Sequence, residues 1–295
     1  MQSVGSGRKR RVLLVAAVAT LSLVAAACGG GDDGGDGSGG SSSSGGVTDG
    51  QGGGTPVQGG TVAYGLEAEN DQGWCLPEVA LPMSGIQVAR TIYDTLTAPN
   101  EKGEFVPFLA KSVTPNATFD SWDIELRDGV KFHDGSDLTA EVVKNNLDAY
   151  RGQYPGRNAL IASFVLGNIA SVEVTGPLSV RVTTKTPWKA LPSVLYYSGR
   201  AGVMAQAQLD NAESCDRELI GTGPFKLVEW RQNESLTTER NEDYWQTDAD
   251  GNQLPYLDGI EYRPVIEGSA RVNSLLGDEL QAIHTSGGEQ IEELR

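Results

Sequence analysis

Apolar and polar residues alternate over residues 121–126, which is the period of a strand that buries one face. Residues 128–129 are Asp-Gly, a pair that favours a tight turn because glycine tolerates positive φ and aspartate bonds its own backbone. Residues 130–132 predict a short second strand before another Asp-Gly turn, and helical spacing predicts a helix over residues 141–150. These patterns predict a compact unit of strand, turn, strand, turn and helix.

The same patterns predict elements on both sides of this unit. Ser84 is a residue type that caps helices, and an apolar stripe at helical spacing follows it. Turns that contain glycine separate alternating segments, which is typical of hairpins. The predicted elements are a strand at 61–66, a helix at 85–95, hairpins at 171–182 and 225–240, a helical run at 188–195, a strand at 260–263, a helix at 269–276 and a strand at 280–283.

The first 27 residues have the pattern of a secretion signal. A basic segment at 8–11 precedes an apolar run that is short for a membrane span and ends in small residues. The run closes on Ala27-Cys28, in a context that resembles a bacterial lipobox. This predicts cleavage before Cys28 and a lipid on that cysteine. Ordinary cleavage after Ala27, which leaves a free Cys28 thiol, is the alternative.

Residues 28–60 are rich in glycine, serine and aspartate, and they contain almost nothing to bury. Such a composition predicts a disordered tether between the anchor and a folded region that begins near residue 61. Removing the four positive charges of residues 1–27 takes the formal net charge from −16 to −20. So acidic a surface argues against nucleic acid, or an anionic membrane face, as a partner.

No arrangement of residues in the chain points to catalysis. The two histidines, His133 and His284, share no zinc-ligand spacing with each other or with a cysteine pair. The phosphate-binding Gly-x-x-x-x-Gly-Lys-Ser/Thr motif and the Gly-x-Ser-x-Gly nucleophile motif are both absent. We therefore expect no enzyme activity, no cofactor and no metal site, and we read His133 as a structural residue.

Several motifs occur together in a known order. Residues 126–135 read LRDGVKFHDG, and IYDTL at 92–96 precedes FVPFLA at 105–110. GTGPFKL at 221–227 is followed by ERNEDYW at 239–245. The set resembles the family 5 extracellular solute-binding proteins of ABC importers, the peptide- and nickel-binding group.

The resemblance implies an α/β fold, a periplasmic-binding-protein-like type II lobe I with an inserted α/β subdomain. Members of the family are much longer, so the resemblance implies a C-terminally truncated chain whose second lobe is largely missing. A natural one-lobe protein is the alternative. The implied divisions are lobe I at 61–95, the inserted subdomain at 96–204, lobe I again at 205–285, and the start of the missing lobe II at 286–295.

The resemblance also implies a function. The protein would capture extracellular oligopeptides or dipeptides by lobe closure and present them to an ABC permease, as an exported, lipid-anchored monomer on the outer face of the cytoplasmic membrane. Another solute (a nickel chelate, an oligosaccharide or an opine) and an inactive fragment remain alternatives, and an enzyme on this scaffold is disfavoured. The implied ligand-binding residues are Glu69, Trp74, Met83, Ser84 and Gly85.

The chain has three cysteines. If Cys28 carries lipid, Cys75 and Cys215 remain, on the oxidising side of the membrane. The resemblance places both in lobe I, which implies a Cys75–Cys215 disulfide. Two buried thiols are the alternative.

Overall fold

A computed structural model describes residues 56–295. The predictions for the signal peptide, for Cys28 and for most of the tether therefore fall outside the described residues. Within residues 56–295, no helix is long and apolar enough to cross a membrane. The strands there are β1 (Thr61–Leu66), β2 (Thr97–Pro99), β3 (Phe105–Pro107), β4 (Ala110–Pro115), β5 (Ser121–Leu126), β6 (Ile169–Gly176), β7 (Ser179–Thr184), β8 (Phe225–Arg231), β9 (Ser235–Arg240), β10 (Gly259–Pro264) and β11 (Ala282–Ile283).

The α-helices of the same residues are mostly short. They are α1 (Met83–Ile92), α2 (Ala140–Tyr150), α3 (Ile161–Val165), α4 (Leu191–Val194), α5 (Gln206–Asp210), α6 (Gly268–Leu276) and α7 (Gly288–Glu293). Two 3-10 turns lie at Leu76–Glu78 and Tyr197–Gly199.

Two sheets organise the described chain. The first has the order β11-β1-β10-β9-β8, with β1 parallel to both β10 and β11 and with β9 antiparallel to its neighbours. The second is antiparallel, with the order β4-β5-β7-β6, and α2 packs against β6 and β7. One hydrophobic core runs through both. The five-stranded sheet thus takes its strands from sequence on both sides of the four-stranded sheet.

The strand at residues 121–126 is confirmed, with its three apolar side chains buried and the residues between them exposed. The short second strand predicted after it is wrong. Only a single bridge joins Lys131 to Asp137, because the tight turn at Gly135, with φ +84°, leaves too few residues for a ladder. Val130 and Phe132 are nevertheless buried, so the apolar pattern reports burial correctly.

The predicted helix at 85–95 is shifted. It begins at Met83 with Pro82 in the N-cap position, so Ser84 lies inside the first turn instead of capping it. It ends at Ile92, because Tyr93 has extended backbone and the Ile92 carbonyl accepts from the Gly223 amide at 2.9 Å. A tertiary contact therefore ends this helix.

Other boundaries differ in the same way. The hairpins at 171–182 and 225–240, the strand at 260–263 and the helix at 269–276 are confirmed within a few residues. The helical run at 188–195 shrinks to Leu191–Val194, and the strand at 280–283 shrinks to Ala282–Ile283. Strands β2, β3 and β4 were not predicted. All three residues of β3 are exposed, so it shows no alternation.

The motif at 126–135 is fastened to the glycine-rich turn that precedes β8. The His133 amide donates to the Gly221 carbonyl at 2.9 Å, and His133 Nδ1 accepts from the Gly221 amide at 3.3 Å. His133 Nε2 lies 3.0 Å from the Gly223 carbonyl oxygen, so the neutral ring carries its proton on Nε2. The turn also lies directly against α1: a Cβ at Gly221 would stand 2.0 Å from the Ile92 carbonyl oxygen.

Gln208 is a second fastening point, and it is completely buried. Its Nε2 donates to the Cys215 carbonyl at 2.9 Å and to the Trp74 carbonyl at 3.3 Å. Its Oε1 accepts from the Tyr93 hydroxyl at 3.0 Å and from the Ile220 amide at 2.9 Å. One side chain thereby joins Trp74 and Tyr93 to residues 215–220, which lie more than a hundred residues further along the chain.

Candidate functional site

The parallel strands of the five-stranded sheet define the edge where a site is expected. Because β1 runs parallel to β10 and β11, their carboxyl ends lie at one edge of the sheet. In α/β sheets, ligands bind in the crevice outside these carboxyl ends. The segments that leave the strands there are residues 67–70, 265–267 and 284–286.

A charged cluster holds two of these segments together. The Glu67 carboxylate accepts from the Ser286 amide, from Ser286 Oγ at 2.9 Å and from Arg271 Nη2 at 3.3 Å. His284 Nδ1 lies 3.6 Å from Glu67 Oε2. Burial raises the pKa of the Glu67 carboxyl, but the Ser286 donors and the nearby His284 and Arg271 outweigh it and leave the pKa below its ordinary value. The cluster fastens the chain after β11 to the end of β1.

Beside this cluster lies a small recess with a volume of about 10 Å³, which is room for about one water molecule. Apolar side chains form most of its wall, and a few polar residues stand among them. We call it the edge recess. It is lined by Leu66, Ala68, Glu69, Asn70, Trp74, Gly85, Val88, Leu236, Tyr262 and Pro264.

Three of the five residues implied as ligand-binding line the edge recess: Glu69, Trp74 and Gly85. The Glu69 carboxylate already accepts hydrogen bonds from two backbone amides. Its Oε1 accepts from the Asn70 amide at 2.9 Å, and its Oε2 accepts from the Asn233 amide at 3.0 Å. Glu69 therefore ties the loop after β1 to the turn between β8 and β9.

Ser84 and Met83 lie next to the recess without lining it. Ser84 is buried, and its Oγ accepts from the Ala68 amide at 3.2 Å, so it fastens α1 to the loop after β1. The Met83 side chain is 55% exposed at the start of α1. It is a large apolar side chain that the described residues leave open to solvent.

The disulfide supports one wall of the recess. Cys75 and Cys215 are bonded, with 5.0 Å between their Cα atoms, which is the pairing that the resemblance implies. The Trp74 amide donates to the Asp216 carbonyl at 2.9 Å, beside the same cross-link. The Trp74 indole is only 1% exposed, and its edge meets the Trp230 ring at a centroid distance of 5.9 Å. The cross-link and these contacts hold Trp74 in one position.

Sequence reasoning missed Asn70, Leu236 and Tyr262. Asn70 stands in a polar stretch between Glu69 and Asp71, where it resembles an ordinary loop residue. Leu236 and Tyr262 belong to alternating strands, and nothing local separates a recess wall from the general core. Only the pairing of β9, β10 and β1 brings these side chains to one place.

A second buried carboxylate lies away from the recess and has a structural role. Asp94 is buried, and its carboxylate accepts from Trp245 Nε1 at 2.8 Å, from Thr222 Oγ1 at 3.0 Å and from the Tyr244 hydroxyl at 3.4 Å. Burial raises the pKa of Asp94 to about 6 although these donors oppose the shift. Within residues 56–295, no group of three or more His, Cys, Asp or Glu side chains is arranged to hold a metal ion.

Comparison with known proteins agrees with this architecture. Residues 104–295 match the family described as "Bacterial extracellular solute-binding proteins, family 5 Middle". The match covers more than half of the chain. The chain belongs to this family. Its fold corresponds to one lobe of a type II periplasmic binding protein, a mixed α/β architecture, as the motifs implied.

Among curated relatives, this family 5 chain is similar to the glutathione-binding protein GsiB of Salmonella paratyphi A. The two are 33% identical over 194 residues, which is 66% of this chain and 36% of the relative. The chain thus spans about a third of the length of the curated relatives that it matches.

Solved family 5 structures match over a larger share of the chain. The oligopeptide-binding protein AppA of Bacillus subtilis, in complex with a nonapeptide, is 26% identical with a TM-score of 0.66, over 77% of this chain and 44% of that one. The protein AgaA of A. tumefaciens, in complex with agropinic acid, is also 26% identical, with a TM-score of 0.65, over 75% of this chain and 43% of that one. Both are described as binding proteins.

Proposed function

We propose that this family 5 protein captures extracellular peptides for an ABC importer, with the carboxyl-end edge of the five-stranded sheet as one wall of the binding cleft. The observation that carries the proposal is the edge recess itself. It is a mostly apolar cavity with a few fixed polar groups, at the sheet edge where ligands bind in this class of fold. Two relatives support peptides as the solute: GsiB is named for glutathione, and AppA was solved with a nonapeptide.

The recess is too small to enclose a peptide by itself. We place the opposing wall in a second lobe of the complete protein, which closes on the first when a solute bridges the two. The permease then recognises the closed form. Glu69, Ser84 and the disulfide hold the first wall rigid, and Trp74, Met83 and Gly85 are the residues closest to the solute.

Another small solute in the same cleft is the second candidate. AgaA, solved with agropinic acid, has the same identity to this chain as AppA. An opine and a peptide both present carboxylate and amide or amine groups, so family membership does not separate them. Native mass spectrometry of the purified complete protein can identify the solute that remains bound to it. A bound peptide or a bound opine would decide between the two candidates.

The decisive experiment is a thermal-shift and calorimetric screen of the complete protein. We expect di- to nonapeptides to raise the melting temperature and to show saturable binding. Agropinic acid and Ni²⁺-histidine serve as comparison solutes. If no peptide binds while one of these does, the peptide proposal is wrong and the cleft serves another solute.

We also propose that Cys28 carries a lipid that holds the protein on the outer face of the membrane. The basic and apolar segments before Cys28 and the glycine-rich tether after it support this arrangement. Replacing Cys28 with serine should move the protein from the membrane fraction to the medium or periplasm. Membrane retention of the Cys28→Ser protein would contradict the anchor.

A further inference from the structure

A larger cavity lies beside the C-terminal end of α1, and it shares no lining residue with the edge recess. We call it the α1 cavity, and the residues that line it include Arg90, Asp94, Phe108, Tyr196 and Tyr244. Its volume is about 120 Å³, against about 10 Å³ for the edge recess. A cavity of this size has room for on the order of ten water molecules, or for one ring with a small polar group.

Arg90 differs from every other arginine within residues 56–295. Each of the others has an ion pair or a hydrogen-bond acceptor for its guanidinium. Among the same residues the Arg90 guanidinium has neither, although the chain carries 39 acids against 23 lysines and arginines. The planar guanidinium offers five N–H donors and matches the two oxygens of a carboxylate. The α1 cavity therefore presents a charged donor group that its own neighbours leave unpaired.

The position of the Arg90 side chain is fixed by its packing. Gly199 has φ +83°, and a Cβ there would stand 2.7 Å from Arg90 Cδ and 3.0 Å from Arg90 Cγ. The stem of Arg90 thus lies directly against the Gly199 backbone. Arg90 Cζ is 5.8 Å from the centroid of the Tyr196 ring, within the range of a cation–π contact. Because Arg90 is exposed and Tyr196 lines the same cavity, the guanidinium stands at the mouth of the cavity.

Aromatic rings form the walls behind Arg90, and other rings support them. The Phe108 and Tyr244 rings lie 5.3 Å and 5.8 Å from the Trp245 ring, measured between centroids. These contacts hold the rings in place, so the wall is a preformed apolar surface.

Asp94 sets the direction in which an anion can enter. It lines the cavity but is only 3% exposed, and its carboxylate already accepts from Trp245, Thr222 and Tyr244. A negative group deep in the cavity would approach this carboxylate, whereas a negative group at the mouth meets Arg90. The arrangement thus favours a ligand whose charge stays outside and whose apolar part enters.

We propose that the α1 cavity is a ligand site separate from the edge recess, and that it takes a small aromatic carboxylate. The carboxylate accepts from the Arg90 guanidinium, and the ring lies among Phe108, Tyr196 and Tyr244. The charge selects an anion over a neutral compound, and the rings select an aromatic acid over an aliphatic one. This assignment does not depend on which solute the cleft of the complete protein captures.

The test compares three small probes on the complete protein. Benzoate carries both the ring and the charge, benzamide has the ring without the charge, and acetate has the charge without the ring. Binding is followed on the probe by saturation-transfer NMR, so that it does not depend on a signal from a mutated residue. We expect benzoate to bind saturably in the millimolar range, and benzamide and acetate each to bind at least about tenfold more weakly.

Variants of the cavity locate the bound benzoate. Arg90→Met keeps the stem that packs on Gly199 and should weaken benzoate binding about tenfold, since it removes a charge-assisted hydrogen bond. Tyr196→Leu should weaken it about threefold through the loss of an aromatic wall. Arg217→Met is the matched control, because it removes the same charge from a side chain that is 72% exposed and does not line the cavity. It should leave benzoate binding within about twofold.

Each outcome decides for or against the site. Benzoate binding that Arg90→Met weakens and Arg217→Met retains supports it. Benzoate binding of equal strength in wild type and Arg90→Met would place the probe elsewhere and overturn the assignment. Equal binding of benzamide or of acetate to wild type would show that the charge or the rings do not select the ligand. No saturable benzoate binding to wild type would mean that the cavity holds only water. Should Arg90→Met melt far below wild type, Arg90→Gln and the three wild-type titrations decide the question.

Discussion

The attachment of His133 to the glycine-rich turn makes the stability of the folded chain depend on pH in a calculable way. His133 is partly buried, its Nδ1 already accepts from the Gly221 amide, and its Nε2–H already faces the Gly223 carbonyl. Burial, with a smaller contribution from the nearby Lys226, lowers the pKa of His133 from 6.5 to about 4, although the Gly223 carbonyl opposes the shift. The folded protein therefore holds the neutral ring over a range in which the unfolded chain takes up a proton.

The direction and the size of this pH effect on folding stability follow from proton linkage. The folded-state pKa lies below the unfolded value, so the stability is fully present above pH 6.5 and is lost as the pH falls from 6.5 towards 4. At about 1.4 kcal/mol for each unit of pKa, the difference between 6.5 and about 4 is worth about 3 kcal/mol. This is a large share of the stability of a typical domain, which is about 5–15 kcal/mol.

The assay is urea unfolding of wild type and His133→Asn at a series of pH values from about 7 down to about 4.5. Asparagine can still accept from the Gly221 amide but does not titrate. We expect the free-energy difference between the two proteins to shrink towards acid pH, because only wild type loses the His133 contribution. If His133→Asn shows the wild-type slope, the ring is not held neutral by its surroundings and the argument is refuted.

Two further predictions concern packing between the motifs. Gly221→Ala should prevent stable folding, since a Cβ would stand 2.0 Å from the Ile92 carbonyl oxygen. Gly129→Ala, at φ +75° in open space, should lower the free energy of unfolding by only about 1–2 kcal/mol. Equal melting temperatures for the two variants would contradict this interpretation. Gln208→Leu should lower the free energy of unfolding by about 3–5 kcal/mol, because it removes the partner of four hydrogen-bonding groups inside the protein. A loss below about 1 kcal/mol in urea unfolding would show that the network can rearrange.

The predictions from sequence succeed where the physical cause is local. The alternation of residues 121–126, the turn at Gly129 and the helical spacing of α2 each depend on neighbours within a few residues. The hairpins succeed for the same reason, since a short turn dictates which strands pair. Family membership could also be predicted from the sequence, because the family's motifs are short strings of residues in a fixed order.

Helix and strand ends depend on contacts made by distant segments. The Gly223 amide ends α1 at Ile92, although the apolar stripe continues beyond it. Ser84 has the chemistry of a helix cap, yet its hydroxyl accepts from the Ala68 amide. No local sequence pattern predicts that Gly223 contacts Ile92 or that Ala68 contacts Ser84.

The sequence by itself determined most of the local elements and the family. Only the tertiary structure decided which side chains meet at the candidate site. Asn70 and Trp74 come from the loop after β1, Gly85 from α1, and Tyr262 from a strand that pairs with β1 in parallel across almost two hundred residues. Parallel pairing over so long a connection is set by the complementarity of whole faces and not by any local period. For that reason the chain shows its motifs in the sequence, whereas the recess that we assign to the solute appears only in the fold.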